Sequence, residues 1–419
     1  MKVISPNDMS PQLQPQAQPD YTPSPRTLVT FGAATTVFWM SLYFYVPILS
    51  PYSEHLGATL GMVGLIVGSY GFTQLMLRIP TGIWSDRLGS RRPFILAGFI
   101  FSFLSALGLG LANDPWVLLI FRTIAGAAAT TWVAFTVMFS GHFTPEKAIF
   151  AMGIMNFCSS LGQMAATFFG GLAAEIYGWR APFHLSAITA LVGLCLMLSI
   201  KERAFKLRSG SIQMHELLTM GRTPMLLIVS SLGAIIQYAT FVTVYGFTPV
   251  YAARMGASKT DLGILGFATI LPTTIANLAT GVYLIRYFRK RTIISIGFTL
   301  TGISALMVPL MRDIWSLSLS QAVGGWARGM VFTVLMGLAV ESIPVQKRAT
   351  AMGFFQAIYS LGMFMGPAIS GVIGDVLGLE MIFITTGILS LATGAIVYKA
   401  QLKRRAGAEP SIYGPPARL

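Results

Sequence analysis

Charge is what this sequence has least of. Only 11% of its 419 residues are Asp, Glu, Lys or Arg, where a soluble domain carries about 25%. The two cysteines, Cys158 and Cys195, both sit in apolar stretches, so no disulfide framework is implied. The four histidines are scattered without metal-ligand spacing. A Walker-type loop, a nucleophile–base constellation and a cofactor fingerprint are all missing, so the sequence points away from enzymes and ATP-driven machines, and no cofactor is expected. Acidic residues number 15, and none falls in the middle of an apolar run.

What the chain does have is apolar length. Hydrophobic residues make up 54% of it, and the mean hydropathy is +0.67. Runs of spanning length cover about 28–50, 59–80, 92–111, 116–139, 149–172, 181–200, 225–248, 262–284, 292–311, 315–340, 349–373 and 380–399. Lipid offers backbone groups no partner except each other, so runs this long must be helices. The fold expected is an all-α integral membrane protein with twelve transmembrane helices. Its layout is a disordered tail over 1–27, a bundle over 28–200, a linker over 201–224, a second bundle over 225–400 and a tail over 401–419.

The second half echoes the first. Asp114-Pro115-Trp116 returns as Asp313-Ile314-Trp315, and Ala151-Met152-Gly153 as Ala351-Met352-Gly353. Gly57-Ala58 matches Gly256-Ala257, while Gly171, Glu175, Gly178 and Phe183 match Gly371, Asp375, Gly378 and Phe383. The offset grows from 199 to 200, which one inserted residue explains. A polytopic chain built of two parallel halves is a transporter pattern, with two six-helix bundles related by a pseudo-twofold along the membrane normal.

The basic residues set the expected orientation. With the N-terminus inside, twenty-two of the 29 Lys and Arg fall on the inner side, four on the outer side, and Arg78, Arg122 and Arg328 within spans. Both termini are therefore expected in the cytoplasm of a cell whose inner membrane the chain crosses. The net charge of +14 needs no nucleic acid to explain it.

Between spans two and three lies Gly82-Ile83-Trp84-Ser85-Asp86-Arg87-Leu88-Gly89-Ser90-Arg91-Arg92. It resembles the signature loop of the major facilitator superfamily, with Ser90 where an arginine is usual. Arg122-Thr123-Ile124-Ala125-Gly126 is similar to the superfamily's fourth-helix pattern. The Gly-Pro pair of some superfamily exporters is missing from helix five and appears as Gly366-Pro367 in helix eleven. The resemblance implies a secondary transporter working by alternating access, with Gly82, Asp86, Arg87, Gly89, Arg91 and Arg92 as a gating motif. Gly82 would let helices approach closely, Gly89 would allow a tight turn, and Asp86 could accept from a helix terminus or pair with an arginine. In the second half Arg286, Lys290 and Arg291 keep the charge, but Ile285 replaces the acid.

Ionisable residues inside spans are functional candidates because burying them unpaired is costly. Arg122 faces Gln321 in the repeat, Arg78 faces Asn277, and Arg328 has no charged counterpart. The polar candidates for the solute are Arg122, Arg328, Trp39, Tyr43, Asn156, Gln163, Gln237, Tyr238, Gln356 and Tyr359. Candidates for proton handling are Glu54, Glu175, Glu341 and His184, all at span ends or in loops. The leading reading is a monomeric exporter of small amphipathic organic solutes, with protons as a candidate coupling ion. Transport of an anionic metabolite by the buried arginines, and flipping of a lipid or glycolipid, are the alternatives.

Overall fold

The structure is a computed structural model. It describes residues 25–143, 148–200, 223–341, 343 and 348–406, with only the backbone described at Asp86, 148–150, 349 and 401–406. Among these residues there is no β-strand. Eleven helices are long and apolar enough to cross a membrane. They are α1 (Pro25–His55), α2 (Leu60–Leu88), α3 (Arg92–Leu111), α4 (Pro115–Ser140), α6 (Ala181–Ser199), α7 (Pro224–Arg254), α8 (Lys259–Tyr287), α9 (Lys290–Leu310), α10 (Ile314–Glu341), α11 (Arg348–Leu377) and α12 (Leu379–Ala406). The twelfth, α5 (Ala148–Tyr177), is 30 residues long.

The two halves use the same local devices. Asp114 caps α4 by accepting from the Trp116 N–H at 2.7 Å, and Asp313 caps α10 by accepting from Trp315 N–H at 3.0 Å and Ser316 N–H at 2.9 Å. The Ser105 hydroxyl donates to the Phe121 carbonyl at 2.7 Å, and Ser304 repeats this to the Ser320 carbonyl at 2.7 Å. Gly57 and Gly256 turn the chain with φ of 89° and 88°, a conformation that a Cβ would strain. Within the first half α1 packs on α5 and α6, α2 on α4, and α3 on α4 and α6. Within the second, α7 packs on α11, α8 on α10, and α9 on α10 and α12. The halves meet along α2–α11 and α5–α8.

The helices bend at matching depth in α1 and α7. α1 breaks at Phe44–Tyr45, just before Pro47. α7 widens into a π-turn over Phe241–Phe247, which frees carbonyls from the regular ladder. One of these, Tyr245 O, accepts from the Ser50 hydroxyl of α1 at 2.9 Å. A backbone irregularity in one half is thereby satisfied by the other.

One expectation is corrected. The signature segment is largely helix, not loop: α2 runs on to Leu88, and only Gly89–Arg91 make the turn. The basic run sits in water, so the helix can continue beyond its apolar stretch until Gly89, at φ 64°, ends it. Around Gly82 no helix comes close in this conformation: a Cβ built there meets nothing within 4 Å. The Asp86 side chain and linker residues 201–222 lie outside the described residues.

Candidate solute site between the halves

The face of the bundle bearing Arg87, Arg286 and Arg289 is called the basic face here, and the opposite one the far face. On the far face the halves are joined. Asp375 accepts from Leu60 N–H at 2.8 Å and Gly61 N–H at 2.9 Å, Glu175 accepts from Lys259 N–H at 2.8 Å, and Glu54 pairs with Arg254 at 2.5 Å. Below this seal lies a small cavity of about 20 Å³ lined by Val46, Pro47, Thr167, Tyr245, Leu265 and Gln321.

Five tyrosines and three arginines gather beneath it. α2 carries Tyr70, Gln74 and Arg78 at intervals of four, which places them on one face. The Arg122 guanidinium of α4 lies 4.4 Å from the centre of the Tyr70 ring and 5.5 Å from that of Tyr45, and it donates to Tyr45 Oη at 3.1 Å. Tyr43 Oη is 3.4 Å from Tyr245 Oη, so the aromatic chain crosses from α1 to α7. Arg328 of α10 lies near that same Tyr245. Nearer the basic face, Arg78 donates to Gln74 Oε1 at 3.2 Å and across the interface to Tyr359 Oη at 3.0 Å.

The electrostatics of this cluster are one-sided. Arg78 is 8% exposed, Arg122 and Arg328 4%, and Gln321 1%. Among the described residues no carboxylate pairs with any of these arginines. Nε of Arg78 and Arg122, Nη2 of Arg328, both amide atoms of Gln321 and Nε1 of Trp39 have no protein partner. A buried unsatisfied donor costs about 1–3 kcal/mol, more when charged. A cation–π contact returns about 2 kcal/mol when desolvated, against several kcal/mol for removing each ion from water. The cluster is short of negative charge.

The other sequence candidates fall into three groups. Trp39 and Tyr43 line the aromatic approach, with Trp39 5.2 Å from Trp132 and 5.7 Å from Tyr43 between ring centres. Gln163 donates to Ser159 Oγ at 2.9 Å on its own helix, and Tyr238 Oη shares a hydrogen bond with Ser370 Oγ at 2.8 Å. Gln237 and Gln356 are half-buried, and Asn156 is exposed. The four proton-handling candidates stand apart from the arginines. Glu54 and Glu175 belong to the far-face seal, Glu341 pairs with Lys290, and His184 is exposed. Of the gating motif, Arg91 donates to Ser85 Oγ at 2.5 Å and Arg92 to the Leu198 carbonyl at 2.6 Å, while Arg87 is exposed. Tyr70 and Gln74 were missing from the candidates. Their four-residue spacing ahead of Arg78 was the available signal.

Comparison with known proteins bears on the fold. The sequence profile of the Major Facilitator Superfamily matches residues 31–257 and 229–413. An uncharacterized MFS-type transporter of Methanocaldococcus jannaschii is 23% identical over 380 residues, covering 86% of this chain and 96% of that protein. A protein of Pasteurella multocida named "Probable sugar efflux transporter" is 23% identical over 382 residues, covering 88% of this chain and 91% of its own length. The crystal structure of a bacterial homolog of the human lysosomal transporter Spinster, inward-facing and unoccupied, superposes with a TM-score of 0.76 at 17% identity, covering 94% of this chain and all of that one. With about twelve membrane-spanning helices, a doubled architecture and a profile match across both halves, the chain belongs to the Major Facilitator Superfamily and is a multi-pass secondary transporter rather than an enzyme.

Proposed function

We propose that this transporter exports amphipathic organic solutes bearing an anionic group, and that Arg328, Gln321 and Arg122 receive that group. One observation carries the reading: three guanidinium groups are buried between the halves without a carboxylate partner among the described residues. An organic anion supplies the missing charge, and Tyr43, Tyr245 and Trp39 offer its apolar portion a surface. The same one-sided charge disfavours organic cations.

The direction follows from charge and orientation. The positive-inside bias makes the basic face cytoplasmic. The sealed far face is then external, and the likeness to an inward-facing structure supports that assignment. An anion leaving a cytosol held negative gains about 2.3 kcal/mol per charge per 100 mV. Export can therefore run on the solute's own charge, without a titrating acid in the core. Asp86 is assigned the cytoplasmic gate and residues 201–224 the link between bundles. The efflux activity in the name of the Pasteurella relative fits the same direction.

The test is uptake into everted vesicles of labelled amphipathic carboxylates, phosphates and their neutral esters, under an imposed potential. The expected result is uptake of the anions, accelerated when the lumen is made positive, with the esters excluded. Equal uptake of anion and ester, indifferent to potential, overturns the anion reading.

A further inference from the structure

The far-face contacts obey the internal repeat. Asp375 and Glu175 are equivalent positions at the ends of α11 and α5. Their partners Leu60 and Lys259 are equivalent first residues of α2 and α8. Each carboxylate crosses the interface and accepts backbone N–H groups at a helix start in the opposite half. These groups have no intrahelical partner and carry the positive end of the helix dipole. Asp375 engages two of them, at 2.8 Å and 2.9 Å, and Glu175 one, at 2.8 Å.

The backbones beneath come close in the same doubled way. A Cβ at Gly64 would lie 3.3 Å from Cα of Gly371, and one at Gly263 would lie 3.1 Å from Cα of Gly171. Gly64 and Gly263 are repeat equivalents, as are Gly371 and Gly171. The α2–α11 and α8–α5 crossings are thus two copies of one device: a glycine pair that lets the helices touch, and an acid that caps the helix across the gap. The Glu54–Arg254 ion pair on this face has no such copy, because the residue equivalent to Glu54 is Ala253.

We infer that Asp375 and Glu175 are positioning residues of the transport cycle, a matched pair of latches that hold the far face closed through the starts of α2 and α8. The inference depends on the transporter assignment and not on the charge of the solute. Opening the far face requires both caps to part. Both carboxylates are exposed, so water can take up the released groups, and each latch is weak enough to break in every turnover.

The experiment uses spin labels on the full chain in nanodiscs, with Cys158 and Cys195 replaced by serine. One labelled pair, Tyr177 and Leu310, reports the far face. Another, Leu88 and Tyr287, reports the basic face. All four are exposed and make none of the latch contacts. Neutralising one carboxylate, as Asp375→Asn or Glu175→Gln, raises the far-open to far-closed ratio about two- to fivefold, the range expected for a charge at a helix start. The double variant raises it about tenfold, and the basic-face distances shorten in step. Asp375→Glu retains the parent distribution, because its repeat mate already performs the task with glutamate. Asp313→Asn is the control. It removes the charge from a cap of the same chemistry that lies within one half, and it leaves both distance distributions unchanged. Unchanged distributions in the single and double variants overturn the inference, as does an equal shift in Asp313→Asn. Should the double variant fail to fold, the two single variants and Asp375→Glu decide the matter.

Discussion

Arg328→Gln separates the two costs that a buried charge brings. Arg328 is 4% exposed and stands near Tyr245, and among the described residues its Nη2 has no protein partner and no acid pairs with it. Replacing it with glutamine removes an ion that the fold does not compensate. Keeping an unpaired ion out of water costs several kcal/mol, so the variant without solute is expected to melt higher. The solute-bound state behaves in the opposite way. A hydrogen bond to a charged group is worth about 1.5–3 kcal/mol, or a loss of about ten- to 150-fold in kcat/KM when it is removed. The assay pairs thermal melting in detergent, with and without a transported carboxylate, with initial rates in proteoliposomes. The expected signature is a higher Tm when empty, loss of the solute-induced Tm increase and a large fall in carboxylate transport. Arg328→Lys recovers part of the rate, because it restores charge without the planar fork. A lower Tm combined with unchanged carboxylate affinity would refute the reasoning, since it would make Arg328 a structural brace.

Four further outcomes are expected. Arg122→Gln lowers anion transport by about tenfold or more, and Arg122→Lys does not rescue it, because the ring faces of Tyr70 and Tyr45 fit a flat guanidinium; rates normalised to folded protein check this. Asp86→Asn slows transport under limiting solute while membrane insertion, read by size-exclusion fluorescence, stays at the parent level. Gly64→Ala places a methyl against the Pro367 carbonyl and drives the far face open, which appears as faster thiol labelling of a cysteine at Thr167. Asp313 has its carboxyl held below the ordinary range by the Ser316 hydroxyl and the N–H groups of Ser316 and Trp315. Its stabilising effect is therefore present at pH 7 and lost as pH falls through the lowered folded-state pKa, so the melting temperatures of parent and Asp313→Asn converge in acid.

The sequence carried the architecture because lipid leaves few options. Long apolar runs must be helices, and the echo of Asp114 in Asp313 marks matching helix starts that the two caps realise. Arg122 was legible as a lone charge in an apolar stretch. Tyr70 was marked only by its spacing ahead of Arg78, because the outward side of α2, with Leu65, Phe72 and Met76 exposed, is as apolar as its packed side and hydrophobicity does not separate a functional face from packing. The π-turn at Phe241–Phe247 was equally hidden, since no proline interrupts that stretch and the widening answers to Ser50, remote in sequence. The repeat paired Glu175 with Asp375 but could not name their partners. A backbone N–H at a helix start has no side-chain signature, so only the fold shows what the acids hold.

The placement of charge links gate and site. Among the described residues the acids belong to helix ends and the far face, and the bases Arg78, Arg122 and Arg328 to the interior. An acid beside Arg328 would neutralise it and remove the demand for an anionic solute. Acids at the far face act on helix starts instead, where opening exposes them to water rather than to hydrocarbon. Closing the far face therefore buries the arginines between the halves without giving them a partner. Solute binding relieves that cost, and the relief is specific to anions. A solute shifts the conformational balance only by its difference in affinity between the two states. The buried, unpaired guanidinium groups are where that difference can arise, so the residues that select the solute are also those through which a bound anion favours the state in which the far-face latches are closed.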